Sequence, residues 1–160
     1  MSRIAFKYLV WPSSKKKFDA SRYSLIIILV GTLGLYKNSN IADYYKDISK
    51  GLLSSAKSII PKSSLIKIIN VPGVFEIPVT ISKNIKKYDA FLALGCVIKG
   101  QTPHFDFISH SSTDAIMKLS VDSKKPIGNG IITCLNMRQA IARKKKGREA
   151  AQAVISVLSQ

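Results

Sequence analysis

Two runs of this chain are apolar at every position, yet each is too short to cross a bilayer as a helix. They are Leu-Ile-Ile-Ile-Leu-Val at Leu25–Val30 and Phe-Leu-Ala-Leu-Gly-Cys-Val-Ile at Phe91–Ile98. A strand with one wet face alternates apolar and polar residues. A run apolar on both faces belongs inside a parallel sheet covered by helices on each side. Leu25–Val30 also follows a basic N-terminus, as a signal-peptide core would, but no small-residue cleavage site stands after it, and the strand reading is preferred.

The remaining segments supply partners for such a sheet. Strands are expected at Ser24–Thr32, Leu65–Val71, Tyr88–Ile98 and Pro126–Cys134, none clearly amphipathic. Ile41, Tyr44, Tyr45, Ile48, Leu52, Ala56 and Ile59 recur at helical spacing, with Pro61 as the stop. Further helices are expected from Pro78 through Ile81 and Ile85 to Lys87, over Phe105–Leu119 and over Met137–Arg143. A last one carries Ala151, Val154, Ile155 and Leu158 on one face. Strands alternating with helices make an α/β fold. Residues 24–160 read as one domain, and residues 1–23 as a basic N-terminal segment whose Ile4–Val10 suits an edge strand.

Composition excludes several classes of function. With 46% hydrophobic and 21% charged residues, the chain has the make-up of a folded globular protein. Cys96 and Cys134 form no CxxC pair and read as reduced core thiols of a cytoplasmic protein. His104 and His110 fall on different faces of a helix, with no Cys or carboxylate cluster beside them, so no metal site is expected. The net charge of +16 would suit nucleic acid or an anionic membrane. However, the lysines are scattered, apart from Lys15-Lys16-Lys17 and Lys144-Lys145-Lys146, and no aromatic residues interleave with them as a stacking platform. Neither nucleic acid nor membrane is therefore expected as a partner. A positive field still favours phosphorylated small molecules.

In a parallel sheet, ligands bind beyond the carboxyl ends of the strands, here just after Val71, Ile98 and Cys134. The first end reads Val71-Pro72-Gly73-Val74-Phe75-Glu76-Ile77-Pro78, a turn with a Glu placed to cap a helix. The second reads Gly95-Cys96-Val97-Ile98-Lys99-Gly100-Gln101-Thr102-Pro103-His104-Phe105-Asp106, a Gly-containing turn feeding a helix start with a His beside it. Beyond the third, Arg143 closes a short helix, where its guanidinium could clamp a phosphate.

These three blocks in series, with Gly-Ile-Ile-Thr at Gly130–Thr133 and Gln139-Ala140, resemble the lumazine synthases from about Tyr44 to the C-terminus. The resemblance implies a flavodoxin-like three-layer α/β/α sandwich with a four-stranded parallel sheet. It implies homopentamers, or pairs of them, with each active site between ring neighbours. It also implies condensation of a ribitylaminouracil with a sugar phosphate, without metal or organic cofactor. By the same resemblance Val74, Phe75 and Glu76 hold the ribityl chain and pyrimidine, and Val97 and Ile98 meet the ring through their backbone. Gln101 and Thr102 cradle phosphate, and His104 transfers protons. Arg143 reaches the phosphate from the neighbour with Lys146 beside it, and Tyr44, or else Tyr45, stacks on the pyrimidine. Asn129 stands where many members carry a phenylalanine that closes over the ring. The chain carries extra residues before Tyr44 and a shortened Arg143–Gly147 connection, which together with the charge favours pentamers over larger shells. A non-catalytic relative that binds a ribitylated pterin or flavin is the alternative function.

Overall fold

The structure, a computed structural model, describes the backbone of residues 24–30 and 39–160 and the side chains of residues 45–160. The N-terminal segment, with its suggested strand at Ile4–Val10, lies outside the described residues. So do residues 31–38.

Strand β1 (Ser24–Val30) pairs in parallel with β2 (Leu65–Val71) on one side and with β3 (Ala90–Ile98) on the other. Strand β4 (Ile127–Cys134) pairs in parallel with β3, so the strands run in the order β2-β1-β3-β4. The run Leu25–Val30 is thus an inner strand, as its composition requires, and no helix among the described residues is long and apolar enough to cross a membrane. Residues Ala90–Cys96 of β3 are all buried, the expected state of a strand covered on both faces.

Alternate β3 side chains serve two cores. Ala90, Leu92, Leu94 and Cys96 pack with Ile48, Leu52 and Ala56 of α1 (Ser39–Lys57). Val154 of α5 (Gly147–Leu158) and Ala140 of α4 (Met137–Arg143) join the same cluster. On the opposite face, Phe91 and Ala93 pack with Ile77 and Ile81 of α2 (Ile77–Asn84) and Ile116 of α3 (His104–Ser123). The period-two alternation of a strand therefore assigns the helices to sides.

The outer strands differ from the expectation that none would be amphipathic. In β4, Gly128, Gly130, Ile132 and Cys134 are buried, whereas Asn129 and Thr133 are exposed. Exposed and buried residues alternate along β4, so water reaches one of its faces. The α5 backbone lies close over the other: a β-carbon at Gly128 would meet the Ala150 carbonyl oxygen at 2.5 Å. β2, the other edge strand, is also partly open, with Leu65 67% exposed.

Candidate active site

After β2 the chain turns at Pro72-Gly73 and makes one 3-10 turn, Val74–Glu76, which leads directly into α2. Val74 is buried and anchors the turn, while Phe75 stands 59% exposed. Glu76 occupies the N-cap position of α2, but its carboxylate makes no capping hydrogen bond. The expected capping role is thus corrected: Glu76 has helical backbone angles, φ −84° and ψ −7°, whereas a capping side chain is usually carried on an extended residue. The carboxylate instead folds over Gly73, where a β-carbon would sit 2.8 Å from Oε2. The Glu76 carbonyl accepts a hydrogen bond from Thr80 Oγ1 at 2.8 Å.

After β3, the Lys99 N–H donates to the Cys134 carbonyl at 2.8 Å and carries the β3–β4 pairing one step further. Val97 and Ile98 are half-buried at this end, and Gln101, Thr102 and His104 are exposed. His104 opens α3, and the N–H groups of Asp106 and Phe107 both donate to the Pro103 carbonyl.

After β4, Asn136 caps α4 by accepting the Gln139 N–H at 3.0 Å, while Gln139 Oε1 accepts the Leu135 N–H at 2.9 Å. This reciprocal pair fixes the helix start on the strand end. Arg143 is exposed at the far end of α4. Burial pushes the Cys134 thiol up, and Arg143 partly opposes that. Burial, reinforced by Cys134, pushes the Cys96 thiol up to about 12. Both cysteines are free thiols, and no cluster of possible metal ligands occurs among the described residues. Lys146 pairs with Glu149 at 2.6 Å, and Asn129 Oδ1 accepts the Ile131 N–H at 3.0 Å.

These side chains line two different cavities. One, of about 490 Å³, is walled by Phe75, Glu76, Pro78 and Val79 together with Ser111, Ser112 and Ala115 of α3. The other, of about 390 Å³, runs along the open edge of β4 and includes Asn129, Thr133, Arg143, Lys146 and Glu149. Gln101, Thr102 and His104 line neither. The side chain of Tyr44 lies outside the described residues, although its backbone belongs to α1.

The family profile of 6,7-dimethyl-8-ribityllumazine synthase matches residues 41–160. This chain belongs to the lumazine synthase family. A relative from Methylorubrum populi that bears that enzyme's name is 39% identical over 160 residues, covering 92% of each chain. Two more of the same name are 41% identical in Bartonella bacilliformis and 42% in Bartonella henselae, each match covering 74% of this chain. These cover 84% and 83% of the respective relatives. As a lumazine synthase family member, the chain carries both cavities inside the matched span, with Glu76 in one and Arg143 in the other.

Two features of this family member were not evident from its sequence. Glu149 joins the Arg143 cavity because it lies three residues after Lys146, on the first turn of α5. That spacing was the available signal. The influence of Arg143 on the Cys134 thiol arises only because α4 returns along the sheet, and sequence spacing does not reveal it.

Proposed function

We propose that this chain condenses 5-amino-6-(D-ribitylamino)uracil with 3,4-dihydroxy-2-butanone 4-phosphate to give 6,7-dimethyl-8-ribityllumazine, the penultimate step of riboflavin biosynthesis. One observation carries the reading: the matched span, 41–160, contains every site residue inferred from sequence, from Tyr44 to Lys146. The fold that goes with it is the flavodoxin-like three-layer α/β/α sandwich with a four-stranded parallel sheet, working in the cytoplasm.

The chemistry draws on the two cavities and on the exposed turn after β3, which lines neither. In the first, Glu76 accepts hydrogen bonds from ribityl hydroxyls, while Val74 and Phe75 flank the ligand. The backbone groups of Val97 and Ile98 fix the pyrimidine edge, and Tyr44 stacks on its face. The 5-amino group attacks the ketone to form an imine, and water leaves. Proton removal then expels inorganic phosphate, and the ribitylated nitrogen closes the ring with loss of water. His104 moves protons in these steps, an imidazole nitrogen accepting a proton in one and returning it in the next. Gln101 and Thr102 cradle the leaving phosphate. Arg143, with Lys146, supplies charge-assisted donors to it. Asn129 borders the same cavity and offers amide contacts in place of an aromatic one.

Glu76 and Arg143 line separate cavities of one chain, which suits a site closed between neighbouring copies. The apolar side chains of Phe75 and Val79, 59% and 52% exposed, border the first cavity and suit such a contact. The assembly is a homopentamer or a pair of pentamers. The test is to mix purified protein with both substrates and follow lumazine fluorescence alongside phosphate release. Equal yields of lumazine and phosphate support the proposal. Binding of the pyrimidine without turnover would point instead to a non-catalytic binder.

A further inference from the structure

A hydroxyl inside a helix usually satisfies itself on the carbonyl one turn back. Thr80 of α2 and Ser123 of α3 do so, donating to the carbonyls of Glu76 and Leu119 at 2.8 and 2.6 Å. Ser112 of α3 does not. It is 1% exposed, and among the described residues no group hydrogen-bonds to its Oγ. Ile116, one turn further on, packs with Phe91 and Ile77 and so turns this side of α3 inward. Ser112 nevertheless lines the cavity of about 490 Å³ that Glu76 borders, a volume suited to a small molecule. Glu76, Ser111 and Ser112 are the polar residues of that wall, and Phe75, Pro78, Val79 and Ala115 are the apolar ones.

We infer that Ser112 is a specificity-determining residue, its hydroxyl donating a hydrogen bond to a hydroxyl oxygen of the ribityl chain in the Glu76 cavity. The inference rests on the reading above that Glu76 holds that chain. A carboxylate only accepts hydrogen bonds, so Glu76 takes the O–H protons of a polyol and leaves the oxygen lone pairs unmet. A serine hydroxyl supplies the missing donor. Leaving a buried hydroxyl unpaired is costly, and alanine would occupy the same helical position without that cost. A polyol in the cavity offsets it by providing the partner. Ser109, one turn earlier on α3, also has a buried Oγ with no partner among the described residues, but it lines neither of the two cavities. It therefore serves as the control.

The test is equilibrium titration of the full chain with two probes, 5-amino-6-(D-ribitylamino)uracil and the same uracil bearing a pentyl chain without hydroxyls. Ser112→Ala should weaken the ribityl compound about fivefold, the scale of one net hydrogen bond, and leave the pentyl compound unchanged. Ser112→Cys, close in size to serine but a poor donor, should behave like the alanine form and keeps the test open should that form fold poorly. Ser109→Ala should bind both probes as the native chain does. The proposal is overturned if Ser112→Ala binds the ribityl compound as tightly as the native chain, if both probes weaken together, or if Ser109→Ala gives the same loss. Glu76→Ala separates this failure from that of the underlying reading. If it weakens the ribityl compound while Ser112→Ala does not, only the role of Ser112 is lost. If Glu76→Ala leaves that affinity unchanged, the cavity does not hold the ribityl chain, and the role of Ser112 falls with it.

Discussion

A β-carbon at Gly147 would land on the backbone carbonyl of Leu52, so the first turn of α5 touches α1 backbone to backbone. Ser55, one helical turn further along α1, brings its hydroxyl within 2.9 Å of the same point. The contact also sets where the chain can run between Arg143 and α5, since residue 147 directly follows Lys146. The charged edge of the second cavity is thus held by a packing constraint on the far side of α5.

Gly147→Ala should therefore destabilise the fold by about 1–3 kcal/mol, the usual cost of forcing atoms into a packed contact. Gly100→Ala is the control, because nothing lies within 4 Å of the corresponding β-carbon there. Urea denaturation of the two variants checks this. Equal stability would show that α5 can move away from α1 freely.

Much of this arrangement was legible in the sequence, and the exceptions have physical causes. Leu65–Val71 and Met137–Arg143 have the expected limits. Strand β3 begins at Ala90 rather than Tyr88, and the carbonyls of Ile85 and Tyr88 instead accept from the Lys125 ammonium, at 2.8 and 2.6 Å. That long-range contact has no local signal. Helix α3 runs four residues past Leu119, to Ser123, and ends on Lys124 in the left-handed region at φ 55°, where a glycine would be the readable stop. Helix α1 ends at Lys57, ahead of Pro61, and Ser58 turns its hydroxyl back onto the Ser55 carbonyl at 2.8 Å. Site residues at strand ends could be inferred because parallel topology dictates where ligands sit. Their division between two cavities could not, because it depends on how α4 and α5 return along β4.

Stability should fall at alkaline pH through Cys96. The unfolded thiol ionises near 9.0, whereas the folded one holds its proton up to about 12. Below pH 9 both states are protonated and the group is neutral to folding. Above it the unfolded chain loses a proton that the folded chain keeps, so stability drops by up to about 1.4 kcal/mol per pH unit. Denaturation midpoints measured from pH 8 to 11 should decline more steeply in the native chain than in Cys96→Ala. Matching slopes would show that the thiol is not protected as its burial requires.

His104→Ala should lower kcat by about 10²-fold or less, the range for loss of a single acid–base group, while pyrimidine affinity stays near wild type. Equilibrium titration with the pyrimidine substrate alone separates the two effects. A variant with unchanged kcat across neutral pH would take proton transfer away from His104.

The central claim is that one condensing site draws His104 from one copy and Arg143 from its neighbour. Co-assembling His104→Ala with Arg143→Ala in equal amounts tests it most directly. In a head-to-tail ring with random mixing, about a quarter of sites receive an intact residue from each side. With mixing verified by mass spectrometry of the assembled ring, lumazine formation should rise to about a quarter of the wild-type rate, well above either variant alone. Activity no higher than the mean of the two variants would contradict the claim.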